Sequence, residues 1–212
     1  MRLLSLLLLL ALLAACATPP GPVTDQSHER WQQQQTRLLD FNDWHIRGRV
    51  ALFVDDEVYN LGLDWQHDGR ENRLTLEAAL GQGMIRIRRL DGISELTTAE
   101  GETRTAADAE ALLLQTTGWD IPVGGLEYWV RGVQRPGSDF RPTLDGHGRL
   151  QQLEQDGWWI NYLEYGEASD ALPALPRRLY MKRGRVRIKI VIDQWQKTAP
   201  TRPDDLFPSF PG

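Results

Sequence analysis

Past residue 16 the chain has no cysteine. No internal disulfide can staple the fold, and neither a thiolate metal site nor a catalytic thiol is available. The four histidines, His28, His45, His67 and His147, stand apart, with no pair at zinc-ligand spacing. No serine sits in a nucleophile-elbow context. Gly81-Gln82-Gly83 is too short to cradle a nucleotide phosphate, and no Walker-type lysine motif is present. Asp55-Asp56-Glu57 is the kind of acidic hairpin tip that water ordinarily solvates. The sequence therefore reads as a non-enzyme with no cofactor and no metal site. It also lacks a basic excess: the formal charge is −5, one unit more negative once Arg2 is removed, a poor match for nucleic acid. After residue 15 no apolar run approaches the roughly 20 residues that a spanning helix needs.

What is present begins with a leader. Arg2 is followed by an almost unbroken leucine run from Leu3 to Leu13, then by the small pair Ala14-Ala15 and by Cys16. Residues 1–15 read as the signal peptide of a bacterial lipoprotein, with Cys16 as the lipidation site. An ordinary secretory signal with an incidental cysteine is the competing reading. Lipoproteins retained at the inner membrane typically carry Asp after the cysteine. Here the residue is Ala17, so the expected destination is the periplasmic face of the outer membrane, where more than one acyl chain makes anchoring stable. Residues 16–27, with Pro19, Pro20 and Pro22, read as a lipidated flexible tether. Residues 28–197 form the domain, and the Pro-rich stretch 198–212 reads as a disordered tail.

From Asp25 to Asp40 the period is helical, with Trp31, Gln35, Leu38 and Leu39 on one face. From Asn42 it switches to two. Trp44, Ile46, Gly48, Val50, Leu52 and Val54 alternate with polar partners, and a second run follows at Tyr59, Leu61, Leu63 and Trp65. Hairpin signals at His67-Asp68-Gly69-Arg70 and Asp91-Gly92 separate further strands at 74–78, 84–90 and 93–98. Thr105 and Asp108 have N-cap spacing before a helix ending at Gly118, and Pro122 opens a second, shorter one. Strands resume over 140–144, 149–155, 158–165, 177–182 and 185–195. The fold class is thus mainly β (α+β): a strongly curved antiparallel sheet forming an incomplete barrel, with helices covering its apolar concave side.

Several of these residues come in a characteristic order. Trp44 with Gly48-Arg49, Trp65, Leu80-Gly81, Asp108-Ala109-Glu110, Gly118, Pro122, Trp129 with Gly132, and the closing strand Arg187 to Trp195 together resemble the LolB family. The resemblance covers roughly residues 28–197. It implies an incomplete barrel closed by helices, whose apolar cavity receives acyl chains. It also implies a role: accepting lipoproteins from the soluble periplasmic carrier LolA and inserting them into the outer membrane. Two features depart from the family pattern. Ala79 stands where a proline is expected before the leucine, and the tail runs past the family's usual end.

An acyl chain of about fifteen methylenes costs on the order of 12 kcal/mol to expose to water. The inward strand positions Val50, Leu52, Leu61, Leu63, Leu74, Leu76, Ile160, Tyr162, Ile188 and Ile190 are the candidate cavity wall, although alternating apolar residues are commonly plain core. Leu80, beside Gly81 in a turn where a polar residue is the default, is the candidate membrane-insertion loop. In the family the corresponding leucine lies on a protruding loop associated with membrane delivery. The late basic residues Arg177, Arg178, Lys182, Arg183, Arg185, Arg187 and Lys189 read first as a solvated face. They read second as a docking surface for an acidic carrier rim or for lipid headgroups. Expected partners are LolA, acylated lipoprotein cargo and outer-membrane phospholipid, with the chain acting as a monomer. The alternative class is a structural or assembly outer-membrane lipoprotein whose packed core carries a protein-binding surface.

Overall fold

The computed structural model describes residues 25–78 and 83–198. Cys16, Leu80 and Gly81 lie outside the described residues. The chain opens with helix α1 (Asp25–Leu39) and continues into five strands: β1 (Asp43–Val54), β2 (Glu57–Asp68), β3 (Glu71–Ala78), β4 (Met84–Leu90) and β5 (Ile93–Thr98). A short β6 (Thr103–Ala106) precedes helices α2 (Ala109–Thr117) and α3 (Val123–Trp129). Five more strands complete the domain: β7 (Phe140–Leu144), β8 (Leu150–Gln155), β9 (Trp158–Tyr165), β10 (Pro176–Arg183) and β11 (Val186–Lys197). α1 takes in residues 25–27 as well, and Ser27 is buried, so the ordered domain starts earlier than residue 28.

All eleven strands form one antiparallel sheet, in the order β6-β5-β4-β3-β2-β1-β11-β10-β9-β8-β7. Every neighbour except the β1–β11 pair is consecutive in sequence, so the sheet is two meanders joined where the last strand returns to the first. The sheet does not close, because β6 and β7 remain as edges. β7 carries Pro142, whose missing N–H is tolerated on an edge strand. Asp156 and Gly157 both have positive φ, 52° and 76°, which matches the twist a two-residue hairpin needs.

Alternation along β1 to β3 puts Trp44, Ile46, Leu52, Leu63, Trp65, Leu74 and Leu76 inside. The same face carries Ile160, Met181, Ile188 and Ile192 from the second meander. α2 packs on β5 and β6, and α1 reaches β7, so helices cover the apolar side next to both edges. Leu112 and Leu113 of α2 join this core, as do Leu126 and Trp129 of α3 and Val130 just beyond it. α2 is capped by Asp108, whose carboxylate accepts the Glu110 N–H at 2.8 Å. Thr105, which the spacing suggested as part of that cap, lies instead in β6 and pairs with Glu95.

At Gly48 the register between β1 and β11 shifts. A Cβ there would lie 2.0 Å from the Val191 carbonyl oxygen, so only glycine permits the close approach this bulge needs.

Candidate functional site

The ten inward residues form a band across the sheet. Val50 pairs with Leu61 on one side and Ile190 on the other, and Leu52 pairs with Ile188. Leu63 faces Leu76, and Leu74 lies against Trp65. On the far side Ile160 pairs with Met181, and Tyr162 with Leu179. All ten are buried in a single apolar cluster with residues of all three helices or their flanks. Leu179 and Met181 of β10 bridge the two halves of the band, since they also pair with Ile190 and Ile188. Sequence reasoning missed them. The inward phase breaks between Pro176 and Leu179, at the register irregularity around Arg178, and the surrounding arginines mark the segment in the sequence by its charge.

The cover over this band is the α2–α3 unit. Trp119, between the two helices, packs edge-on against Tyr59 of β2 with ring centroids 5.0 Å apart. Trp129 of α3 lies 6.3 Å from Trp158 of β9, and its indole N–H donates to Gln155. Tyr162 points into the buried band, its hydroxyl without a partner among the described residues. Burial pushes its phenol far above the ordinary range, so the group stays neutral. A wall of aliphatic and neutral aromatic groups under a helical cover can shelter hydrocarbon.

The family model for the outer membrane lipoprotein LolB matches residues 42–195, which takes in all of the sheet but the last two residues of β11, and both covering helices. The chain belongs to the LolB family. The outer-membrane lipoprotein LolB of Marinobacter nauticus is 35% identical, over 92% of this chain and 98% of its own length. That of Alkalilimnicola ehrlichii is 40% identical, over 86% and 90%. Among solved structures, a Vibrio parahaemolyticus domain described as an outer membrane lipoprotein-sorting protein superposes with a TM-score of 0.54. It covers 85% of this chain and 96% of its own, at 9% identity, and at that distance the likeness speaks for the fold alone.

In this LolB-family domain the cover is fastened to the sheet by a buried polar cluster. Glu127 of α3 lies 2.8 Å from His67 Nε2 and accepts hydrogen bonds from the Asn72 amide and the Arg89 guanidinium. Trp65 donates its indole N–H to Asn72. The other His67 nitrogen lies 2.6 Å from the Asn42 carbonyl oxygen, and Trp44 stacks on the ring. Burial alone would raise the Glu127 carboxyl. The His67 hydrogen bond and the charge of Arg89 outweigh that and hold it below its ordinary value. Just past α3, the Arg131 guanidinium is buried and donates to the carbonyls of Leu38, Leu39 and Phe41, tying the cover to the end of α1. The sequence gives little sign of this cluster: His67 and Glu127 are sixty residues apart, and each looks ordinary in its own segment.

The late basic residues separate into two groups. Arg178 pairs with Glu164, Arg183 with Asp120 and Arg185 with Asp55, while Arg177 donates to backbone carbonyls of β11. Lys182, Arg187 and Lys189 make no ion pair among the described residues.

Proposed function

We propose that this chain takes acylated lipoproteins from the soluble carrier LolA, shelters their acyl chains against the concave face, and inserts them into the outer membrane. The observation that carries this reading is the apolar band running across β3, β2, β1, β11, β10 and β9, covered by two short helices rather than by a second sheet. A short helical cover held by a few localised polar contacts can be displaced at lower cost than a sandwich partner, whose whole face would have to separate. The wall residues are packed in the structure, so an entering chain replaces contacts made by α2 and α3. Each methylene left in water would cost about 0.8 kcal/mol, so a chain leaving the carrier needs an apolar wall at once, and its contacts replace those that α2 and α3 give up.

Lipid on Cys16 anchors the protein at the periplasmic face, residues 16–24 supply the tether, and the Leu80-Gly81 turn touches the acceptor bilayer. The protein acts as a monomer without cofactor or catalysis, and delivery runs down a ladder of affinities that ends in the bilayer. The test is a photoreactive residue at Leu61 or Ile188, with a labelled lipoprotein presented on its carrier. Crosslinks to the cargo acyl chain are expected. A pattern confined to outer-face positions would favour a scaffold with a dry core.

A further inference from the structure

The three unpaired cations occupy adjoining positions on the outer face of the sheet. Lys182 and Arg187 are direct cross-strand partners, and Lys189 follows two residues along β11. Like charges placed opposite each other destabilise a sheet, yet no carboxylate compensates them among the described residues, in a chain that is acidic overall. Aromatic rings flank them instead. The Lys182 ammonium lies 4.7 Å from the centre of Trp159, and Phe53 lies under Arg187 at 5.0 Å and Lys189 at 5.4 Å.

The register makes this a continuous transverse row: Trp159, Lys182, Arg187, Phe53 and then Val58, which is 53% exposed; beyond Trp159 the row continues with Glu154, which pairs with Arg141 rather than with these cations. Indole, cation, cation, phenyl and aliphatic in sequence match a membrane–water interface, where rings lodge at headgroup depth and long cationic side chains reach phosphate. The row sits beside the β1–β2, β8–β9 and β10–β11 turns. The β3–β4 connection springs from this same end of the sheet, since Ala78, its last strand residue, is in register with Leu61 near the start of β2.

We propose that this row is a docking surface for anionic phospholipid. It sets the turn end of the sheet against the bilayer by pairing Lys182, Arg187 and Lys189 with lipid phosphates. The inference deepens the reading above, in which the chain works at a membrane, but it does not depend on cargo. Its test therefore uses none. The lipidated chain carrying Val58→Cys with an environment-sensitive dye is placed in vesicles of phosphatidylethanolamine with phosphatidylglycerol, and in vesicles with phosphatidylcholine instead. Dye at Ile93→Cys, at the start of β5 beside the β4–β5 turn at the opposite end, is the control.

The expected result is a blue shift at position 58 in anionic vesicles only, absent at position 93 and reversed by high salt. The triple variant K182E/R187E/K189E should reduce the bound fraction at least tenfold, since each basic residue near an anionic surface contributes about a factor of five. Equal spectra in both vesicle types overturn the proposal, as does a shift that survives both salt and charge reversal. A triple variant that keeps the anionic shift but loses carrier-dependent transfer also overturns it, and assigns the face to an acidic protein. Failure of acyl crosslinking at Leu61 with the shift intact would sink the carrier reading and leave this one standing.

Discussion

At Glu127 a single carboxylate holds His67, Asn72 and Arg89 together beneath the cover. Removing one member of a buried ionic cluster leaves its partners unpaired, a loss of about 3–5 kcal/mol. Glu127→Ala is therefore expected to lower the urea midpoint strongly, with the baseline slope of unfolding retained. The pH response follows from the depressed carboxyl. Its stabilising contribution is fully present above the ordinary value of 4.5 and is lost as pH falls through the lower value in the folded protein. Acid unfolding of Glu127→Gln should start from a lower stability and fall less between neutral pH and acid than that of the parent; equal slopes would refute the assignment. Gly48 fails differently. Any side chain there meets the Val191 carbonyl, so Gly48→Ala should cost about 3 kcal/mol, at the upper end of single substitutions, again read from the urea midpoint.

Among the elements, α2 is the one whose hold is local. Asp108→Ala removes its cap bond to Glu110 and is expected to cost about 1 kcal/mol. Hydrogen exchange should quicken at Leu112 and Leu113 while β1 stays protected. Uniform quickening would mean the cover and sheet open as one unit. The elements differed in how openly the sequence declared them. β4 and β5 were legible to the residue because Asp91-Gly92 separates two alternating runs. β6 was not: its four residues, Thr103–Ala106, present three exposed side chains and no apolar alternation, and it is a strand only because β5 offers it a ladder. The inward wall was legible wherever alternation ran unbroken, and was lost at β10, where the irregularity at Arg178 shifts the phase. The Glu127 cluster rests on contacts between segments far apart in sequence, which no local pattern encodes.

For the whole molecule, the tests concern passage of cargo. Leu80→Glu is expected to leave folding and receipt of cargo intact while slowing insertion into vesicles, because an apolar side chain entering the bilayer gains about 1.5–3 kcal/mol that a carboxylate forfeits. Unimpaired insertion, measured as protease-protected labelled lipoprotein over time, would remove the role from that turn. Intact receipt with slowed insertion would make the two separable steps, the first assigned to the cover and the second to the turn end of the sheet.

The two free edges, β6 and β7, bear on how the interior changes size. A cylinder closed by hydrogen bonds all the way round can swell only by tearing a ladder. An open sheet has a seam where nothing needs tearing, so its rims can spread or draw together as the strands flex, with every backbone pair kept. For the acyl-chain shelter proposed above, such a sheet would act less as a rigid cup than as a spring clip, with a capacity set by bending stiffness rather than by a fixed bore.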